Sequence, residues 1–230
     1  MEAGNSMAIL YIVATPIGNL KDFTTRAIET LKEVDFILAE DTRETIKLLN
    51  FYTIKKPLIS YFQHSRLSKI EYILDLLKQG KSLALVSDAG TPGINDPGGK
   101  LVAEIVKRFG DSVRIVPIPG PNAAITALSI CGLNADRFMF LGYLPHKKGR
   151  QKFFTEILKS RYPVIIYESP HRILKTLNEL DGFEELKNRE IVVCRELTKK
   201  FETIYRGTIS EVLLKIERGI VKGEFTVVIK

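Results

Sequence analysis

The sequence predicts an α/β protein in two parts: an N-terminal, mostly parallel sheet layered with helices and a C-terminal mixed sheet, also layered with helices. Three observations predict it. The run Leu83-Ala84-Leu85-Val86 is apolar without alternation, as in a strand buried on both faces, and such strands belong to parallel sheets. Up to Val116, strand-like stretches alternate with stretches carrying apolar residues at helical spacing, the pattern of right-handed crossovers. After the stiff connection Pro117-Ile118-Pro119-Gly120-Pro121 the pattern changes, and strands over 191–195 and 203–207 stand close enough to pair as a hairpin. The expected division is 8–118 and 119–230, with 1–7 a disordered leader.

Taken in order, 8–14 is a first buried strand, and after the turn Thr15–Leu20 a helix capped by Asp22 carries Phe23, Ala27, Ile28, Leu31 and Val34 at helical spacing. Strands follow at 36–39 and 57–61, then a helix to about Gly80 for which Ser68 and Glu71 form a capping box. The strand over 82–86 runs into the longest glycine- and proline-rich loop, Ser87–Gly99. Asp96 then caps a helix opened by Pro97 and running to Arg108. A strand at 113–116 and a helix capped by Asn122 close the first pattern. Beyond them, strands are expected at 138–144, 163–167, 191–195, 203–207 and 224–229, with Ser169 capping and Pro170 opening a helix.

Composition narrows the class. With 230 residues, 45% of them hydrophobic, the chain buries a sizeable core. A formal net charge of +7, from 34 basic and 27 acidic residues, suits an anionic partner without demanding one. Cys131 and Cys194 are the only cysteines and His64, His146 and His171 are scattered, so neither a disulfide framework nor a metal site is expected. No apolar run approaches the roughly 18 residues of a membrane span and no signal peptide precedes the first strand, which points to a cytoplasmic protein.

Four stretches stand out as candidate sites. Ser87–Gly99 sits at a strand's carboxyl end, where open α/β sheets bind ligands, and its backbone is bare enough for close approach. It lacks the Lys-Ser or Lys-Thr pair of a phosphate loop and the glycine spacing of a dinucleotide site, so an uncharged or zwitterionic ligand fits better. Glu40-Asp41-Thr42-Arg43, at another strand tip, reads either as a solvated face or as a substrate-side cluster in which Arg43 binds phosphate. Phe62-Gln63-His64-Ser65-Arg66 mixes aromatic and basic groups, suiting nucleic acid as well as a helix-entry loop. Lys147, Lys148, Arg150 and Lys152 form the densest positive run, which serves a phosphate backbone or a solvated helix start.

Ser87–Gly99, with Ala14–Leu20, Ala39–Arg43 and Pro119–Ala123, closely resembles the corresponding blocks of the ribosomal RNA small-subunit methyltransferase I family, within the tetrapyrrole-methylase-like (class III) methyltransferases. The similarity runs from about Leu10 to Ile229; Asn95 and Asn122 stand where serine is usual, and Tyr143 where phenylalanine is common. Many members continue past the position of Lys230 with a helical segment, and whatever that segment does for RNA binding is not expected of this sequence. The resemblance implies a two-domain homodimer binding S-adenosylmethionine between its domains and releasing S-adenosylhomocysteine. Its implied substrate is the ribose hydroxyl of a cytidine in the decoding region of 16S ribosomal RNA. By motif matching, the cofactor meets Pro16, Ser87, Asp88, Ala89, Gly90, Thr91, Gly93, Ile94, Ala123, Tyr167, Leu197, Glu224 and Phe225.

A ribose hydroxyl must lose its proton to attack, so a base, or a cation stabilising the alkoxide, is expected near the methyl group. Asp41, Arg43, Glu168, Glu196 and Lys199 all follow expected strands and are the candidates, with Glu196 and Lys199 preferred. RNA contacts are expected from Arg43, His64, Arg66, Lys147, Lys148, Arg150 and Lys152. The rival readings are a small-molecule methylase of the same fold, acting on a tetrapyrrole or corrin precursor, and a non-catalytic RNA-binding protein.

Overall fold

A computed structural model describes residues 7–62 and 65–230. His64 and residues 1–6 of the expected leader lie outside the described residues. The chain divides into two compact units, Met1–Asn122 and Ala123–Lys230, each with its own sheet.

The first unit is a five-stranded sheet in the order β3-β2-β4-β1-β5: β1 (Ala8–Val13), β2 (Phe36–Ala39), β3 (Leu58–Ser60), β4 (Leu83–Val86) and β5 (Val113–Ile118). Every neighbouring pair is parallel. Alternate residues along the strands feed two cores. Val13, Ile37, Ala39, Ala84 and Val86 pack with α1 (Thr25–Glu33) and α2 (Thr42–Phe51), whereas Leu10, Leu38, Leu83 and Leu85 pack with α3 (Leu67–Lys78) and α4 (Gly98–Phe109). Chain and sheet order together fix where the ligand edge lies. From β1 the chain leaves toward β2 over one face, and from the adjacent β4 it leaves toward β5 over the other, so a crevice opens between them at their carboxyl ends.

The second unit is a mixed sheet in the order β6-β7-β10-β8-β9. Its strands are β6 (Met139–Tyr143), β7 (Val164–Glu168), β8 (Glu190–Arg195), β9 (Thr203–Thr208) and β10 (Phe225–Ile229). Only β6 and β7 run parallel; β8 and β9 form the expected antiparallel pair. One face packs on α6 (Arg150–Lys159), α7 (Ile173–Asp181) and α8 (Ile209–Glu217), and α5 (Ala123–Ser129) lies against β7 and β10.

The strands match the sequence to within a residue or two, except that β5 continues through Pro117 to Ile118; as a sheet edge it can spare the missing amide. The caps differ more. Asn19 closes a 3-10 turn containing Asp22, so α1 is capped by Thr24, which accepts from the Ala27 amide. Ser68 lies inside α3, and Glu71 turns to Arg108 at 2.5 Å, so the expected capping box is absent there. A capping box forms instead at Thr208 and Glu211, at the start of α8. Pro97, not Asp96, stands at the cap of α4, which begins at Gly98; Asp96, one residue earlier, accepts from the Gly98 and Gly93 amides. α7 begins at Ile173, because the Ser169 carbonyl rather than its hydroxyl takes the Arg172 and Ile173 amides.

Two of the expected site residues fail on burial. Arg150 is only 6% exposed: its guanidinium donates to Glu179, Thr176 and the Pro145 carbonyl, so it is part of the fold and not free for phosphate. Glu168 is wholly buried and accepts from the Ser169 amide, Arg172 and Thr176, which leaves it no path to a substrate proton. Replacing Glu168 with alanine strands the half-buried Arg172 cation and the Thr176 hydroxyl. The expected loss is about 3–5 kcal/mol of unfolding free energy, measured by urea denaturation of the variant beside the parent.

Candidate functional site

In the first unit, three loops meet at the carboxyl edge of the parallel sheet. Thr15 and Gly90 exchange backbone hydrogen bonds, the Thr15 amide donating to Gly90 at 2.8 Å and the Gly90 amide donating back at 3.1 Å. The Thr15 hydroxyl adds a bond to the Ser87 carbonyl at 3.1 Å. Thr91 then reaches the Pro121 carbonyl at 3.2 Å, which ties in the loop after β5. Gly90 has φ +83°, a left-handed value that a side chain strains against, and a Cβ there would lie 3.4 Å from Ile17. A Cβ on Gly120 would lie 3.0 Å from the Ala14 side chain, so that loop too approaches at backbone distance. Pro16 and Ser87 are buried, Thr91 is half-buried, and Asp88, Ala89, Gly93 and Ile94 are exposed.

The charge at this edge is acidic and partly uncompensated. Burial pushes the Glu40 carboxyl up, and the nearby charges of Asp88 and Asp96 push it further. Partial desolvation of its carboxyl, although the residue is exposed as a whole, likewise raises Asp88, against the lowering effect of the Asp41 amide, which donates to it at 2.9 Å. Asp41 is the opposite case. It caps α2 through the Arg43 amide and grips the Arg43 guanidinium at 2.6 and 3.0 Å, and this contact holds its carboxyl down at about 2. So acidic a group is a poor proton acceptor.

The second unit carries its own constellation. Glu196 and Thr198, between β8 and β9, sit at φ +55° and +66°, values that cost free energy for residues with side chains. Lys199 holds the turn: its Nζ donates to Glu196 at 2.9 Å and to Glu224 at 2.7 Å. Glu196 also accepts from the Glu224 amide, and a Cβ on Gly223 would run into its carboxylate. Burial alone depresses the Lys199 pKa, but its two carboxylate partners outweigh burial and raise it. Glu196 is lowered, since Lys199 and the Glu224 amide overcome its burial. The expected base pair is therefore a locked ion cluster, with Lys199 a firm cation. Leu197 is buried within this turn. Tyr167 accepts from the Ala124 amide at 3.1 Å and so caps α5 just after Ala123. Phe225 is 2% exposed, with its ring in the core, and offers no side-chain contact to a ligand.

A family model for tetrapyrrole (corrin/porphyrin) methylases matches residues 9–213. The ribosomal RNA small subunit methyltransferase I of Bacillus subtilis is 51% identical over 98% of this chain and 76% of its own length, and that of Thermotoga maritima is 44% identical over 97% and 98%. The chain belongs to the ribosomal RNA small subunit methyltransferase I family. The fold agrees with that of solved structures of low sequence identity. A diphthine synthase superposes with a TM-score of 0.70 at 15% identity, covering 96% of this chain and 89% of that one. A uroporphyrin-III C-methyltransferase from Thermus thermophilus, solved with S-adenosyl homocysteine, gives 0.63 at 15% identity, covering 95% and 96%.

The methyltransferase I motifs of the first unit converge: hydrogen bonds join Thr15 to Gly90 and Thr91 to Pro121, with the raised carboxyls of Glu40 and Asp88 at the same edge. Of the expected RNA contacts, Lys147, Lys148 and Lys152 are exposed, as is Arg66 at the head of α3, while Arg43 is exposed but gripped by Asp41. Among the described residues no group of His, Cys, Asp and Glu could hold a metal ion, and no helix is long and apolar enough to cross a membrane. From the sequence Glu40 is expected only as one member of the Glu40–Arg43 cluster, without a role of its own. Only the expected sheet order could have brought it beside Asp88.

Two measurements check this electrostatic picture. Burial first, and then the charges of Asp88 and Asp96, raise the Glu40 carboxyl above its ordinary 4.5, so its charged form costs stability at neutral pH and that cost disappears once acid protonates it. Glu40→Gln is expected to raise the melting temperature at pH 7, the gain shrinking as pH falls through the raised folded pKa and vanishing below the ordinary value; an equal gain at all pH would contradict it. Lys199→Met leaves two carboxylates facing each other around a strained turn. Amide exchange over 196–202 should accelerate about tenfold or more, and unchanged protection would show that the turn holds itself.

Proposed function

We propose that this protein transfers the methyl group of S-adenosylmethionine to the ribose 2'-hydroxyl of a cytidine in the decoding region of 16S ribosomal RNA, releasing S-adenosylhomocysteine. The observation that carries the reading is the Thr15–Gly90 link, which joins the family's two cofactor motifs at the crevice between β1 and β4. In this reading Pro16 and Ser87–Ile94 hold the cofactor from the first unit. Bound there, S-adenosylmethionine supplies an activated methyl group on a sulfonium.

The chain's own residues then act chiefly by position. Asp88 and Glu40 offer negative charge to a cationic ligand. Asp41, held near 2, and Glu168, sealed in the core, cannot take the hydroxyl proton at neutral pH. Lys199 stays protonated between Glu196 and Glu224, so it cannot take the hydroxyl proton either. Proton loss to water, with the reactants oriented by the protein, accounts for the chemistry. We assign the protein to the cytoplasm as a homodimer acting on the small ribosomal subunit or its RNA.

The test is methyl transfer from labelled cofactor to small subunits, naked 16S RNA and a tetrapyrrole precursor side by side. Label is expected in a single cytidine of the RNA, at a linkage that resists alkali because its 2'-hydroxyl is blocked; label in the tetrapyrrole would move the protein to the small-molecule methylases. Replacing Lys147, Lys148 and Lys152 with alanine, and sparing the structural Arg150, should reduce the slope of log affinity against log salt. The expected reduction is about 0.7 for each phosphate of a single-stranded RNA that is no longer neutralised, with cofactor affinity unchanged, and an unaltered slope would remove these lysines from the interface.

A further inference from the structure

β6 does not pair regularly with β7. Met139 and Phe140 stand opposite Val164 and Ile165, but Gly142 and Tyr143 stand opposite Ile166 and Tyr167, so Leu141 is an extra residue. Gly142 adopts φ +63° to absorb it. The consequence is geometric. In a regular strand Phe140 and Tyr143, three residues apart, point to opposite faces; with the bulge they share the face of Ile165 and Tyr167, away from the α6–α8 core that holds Val164 and Ile166. Both rings accordingly meet Tyr167 edge-on, at centroid distances of 5.1 and 5.6 Å.

The backbone beyond Tyr143 is equally fixed. The carbonyls of Leu144 and Pro145, the next two residues, accept from the half-buried Arg172 at 2.6 Å and the buried Arg150 at 3.2 Å. Tyr143 itself remains 46% exposed. Its neighbours His146, Lys147 and Lys148 are exposed as well, and the charges of Glu224, Glu168, Arg172 and Lys199 all reach its hydroxyl. A core ring is not left half in water between a bulge and two guanidinium anchors, and a rigid open ring flanked by exposed cations is what an unpaired base with its phosphates fits.

We propose that Tyr143 is a stacking platform for an unpaired nucleobase of the RNA substrate, with Lys147 and Lys148 meeting the adjoining phosphates. The inference rests on the ribosomal RNA reading above and assigns that reading a strand-selecting residue. Base stacking tolerates any aromatic ring, so Tyr143→Phe should retain turnover within about twofold, whereas Tyr143→Ala should lower kcat/KM for RNA about ten- to hundredfold. Its melting temperature and its calorimetric affinity for S-adenosylmethionine should stay unchanged. The chain has no tryptophan, so Tyr143→Trp introduces a single indole, whose fluorescence should be quenched by a single-stranded oligonucleotide containing cytidine and not by the same sequence in a duplex.

The outcomes separate cleanly. If the unaltered protein labels no RNA, the functional reading falls and this inference with it. If it labels RNA and Tyr143→Ala does so equally well, the platform alone is refuted. Loss of cofactor affinity in Tyr143→Ala, or equal quenching of Tyr143→Trp by duplex and single strand, overturns it too.

Discussion

Two backbone hydrogen bonds between Thr15 and Gly90 hold the first unit's candidate site together. A parallel sheet delivers its connections to one edge, yet it gives them no reason to touch, because the chains leaving β1 and β4 depart over opposite faces. The reciprocal pair closes that divergence at its root. Gly90 can take part because its left-handed backbone turns both its amide and its carbonyl toward Thr15. Once the pair is made, the Thr15 hydroxyl fastens Ser87, Thr91 fastens Pro121, and three connections share one floor.

The two units handle charge in contrasting ways. In the first, burial and the repulsion of Asp88 raise Glu40, and Arg43, paired with Asp41, reaches Asp88 only with its more distant charge. In the second, the main buried charges are satisfied internally: Glu168 by Arg172 and Thr176, Arg150 by Glu179, and Lys199 by two carboxylates. Uncompensated charge marks places prepared for a ligand, and saturated charge marks places built to stay still. The division agrees with a methyltransferase whose cofactor brings the reactive group and whose protein brings order.

Strands and their pairing type were readable from the sequence because burial on both faces leaves an unalternated apolar run, as in Leu83–Val86. The motif loops were readable because glycine and proline declare backbone conformations directly. Side-chain partners were not. Arg150 looked like one more cation in a basic run, and only the fold brings Glu179 and Thr176, more than twenty residues away, around it. Ser68 and Glu71 had capping-box spacing, but Arg108 on α4 competed for the glutamate. The left-handed turn at Glu196 and Thr198 carries no glycine to announce it, and the bulge at Leu141 is a matter of register with β7, which no single strand records.

Strand order also governs when this protein can take shape. In the second unit β10, the last strand in the chain, lies at the centre, between β7 and β8. Until it is inserted, β7 and β6 on one side and β8 and β9 on the other are separate ribbons, each with an open, strongly apolar edge. In the first unit β1 waits for β4, and the Thr15–Ser87 contact closes a span of 72 residues before it gains anything. A nascent chain therefore carries sticky, unpaired edges through most of its synthesis. Edges of that kind are templates for association with another chain until their partner strand arrives.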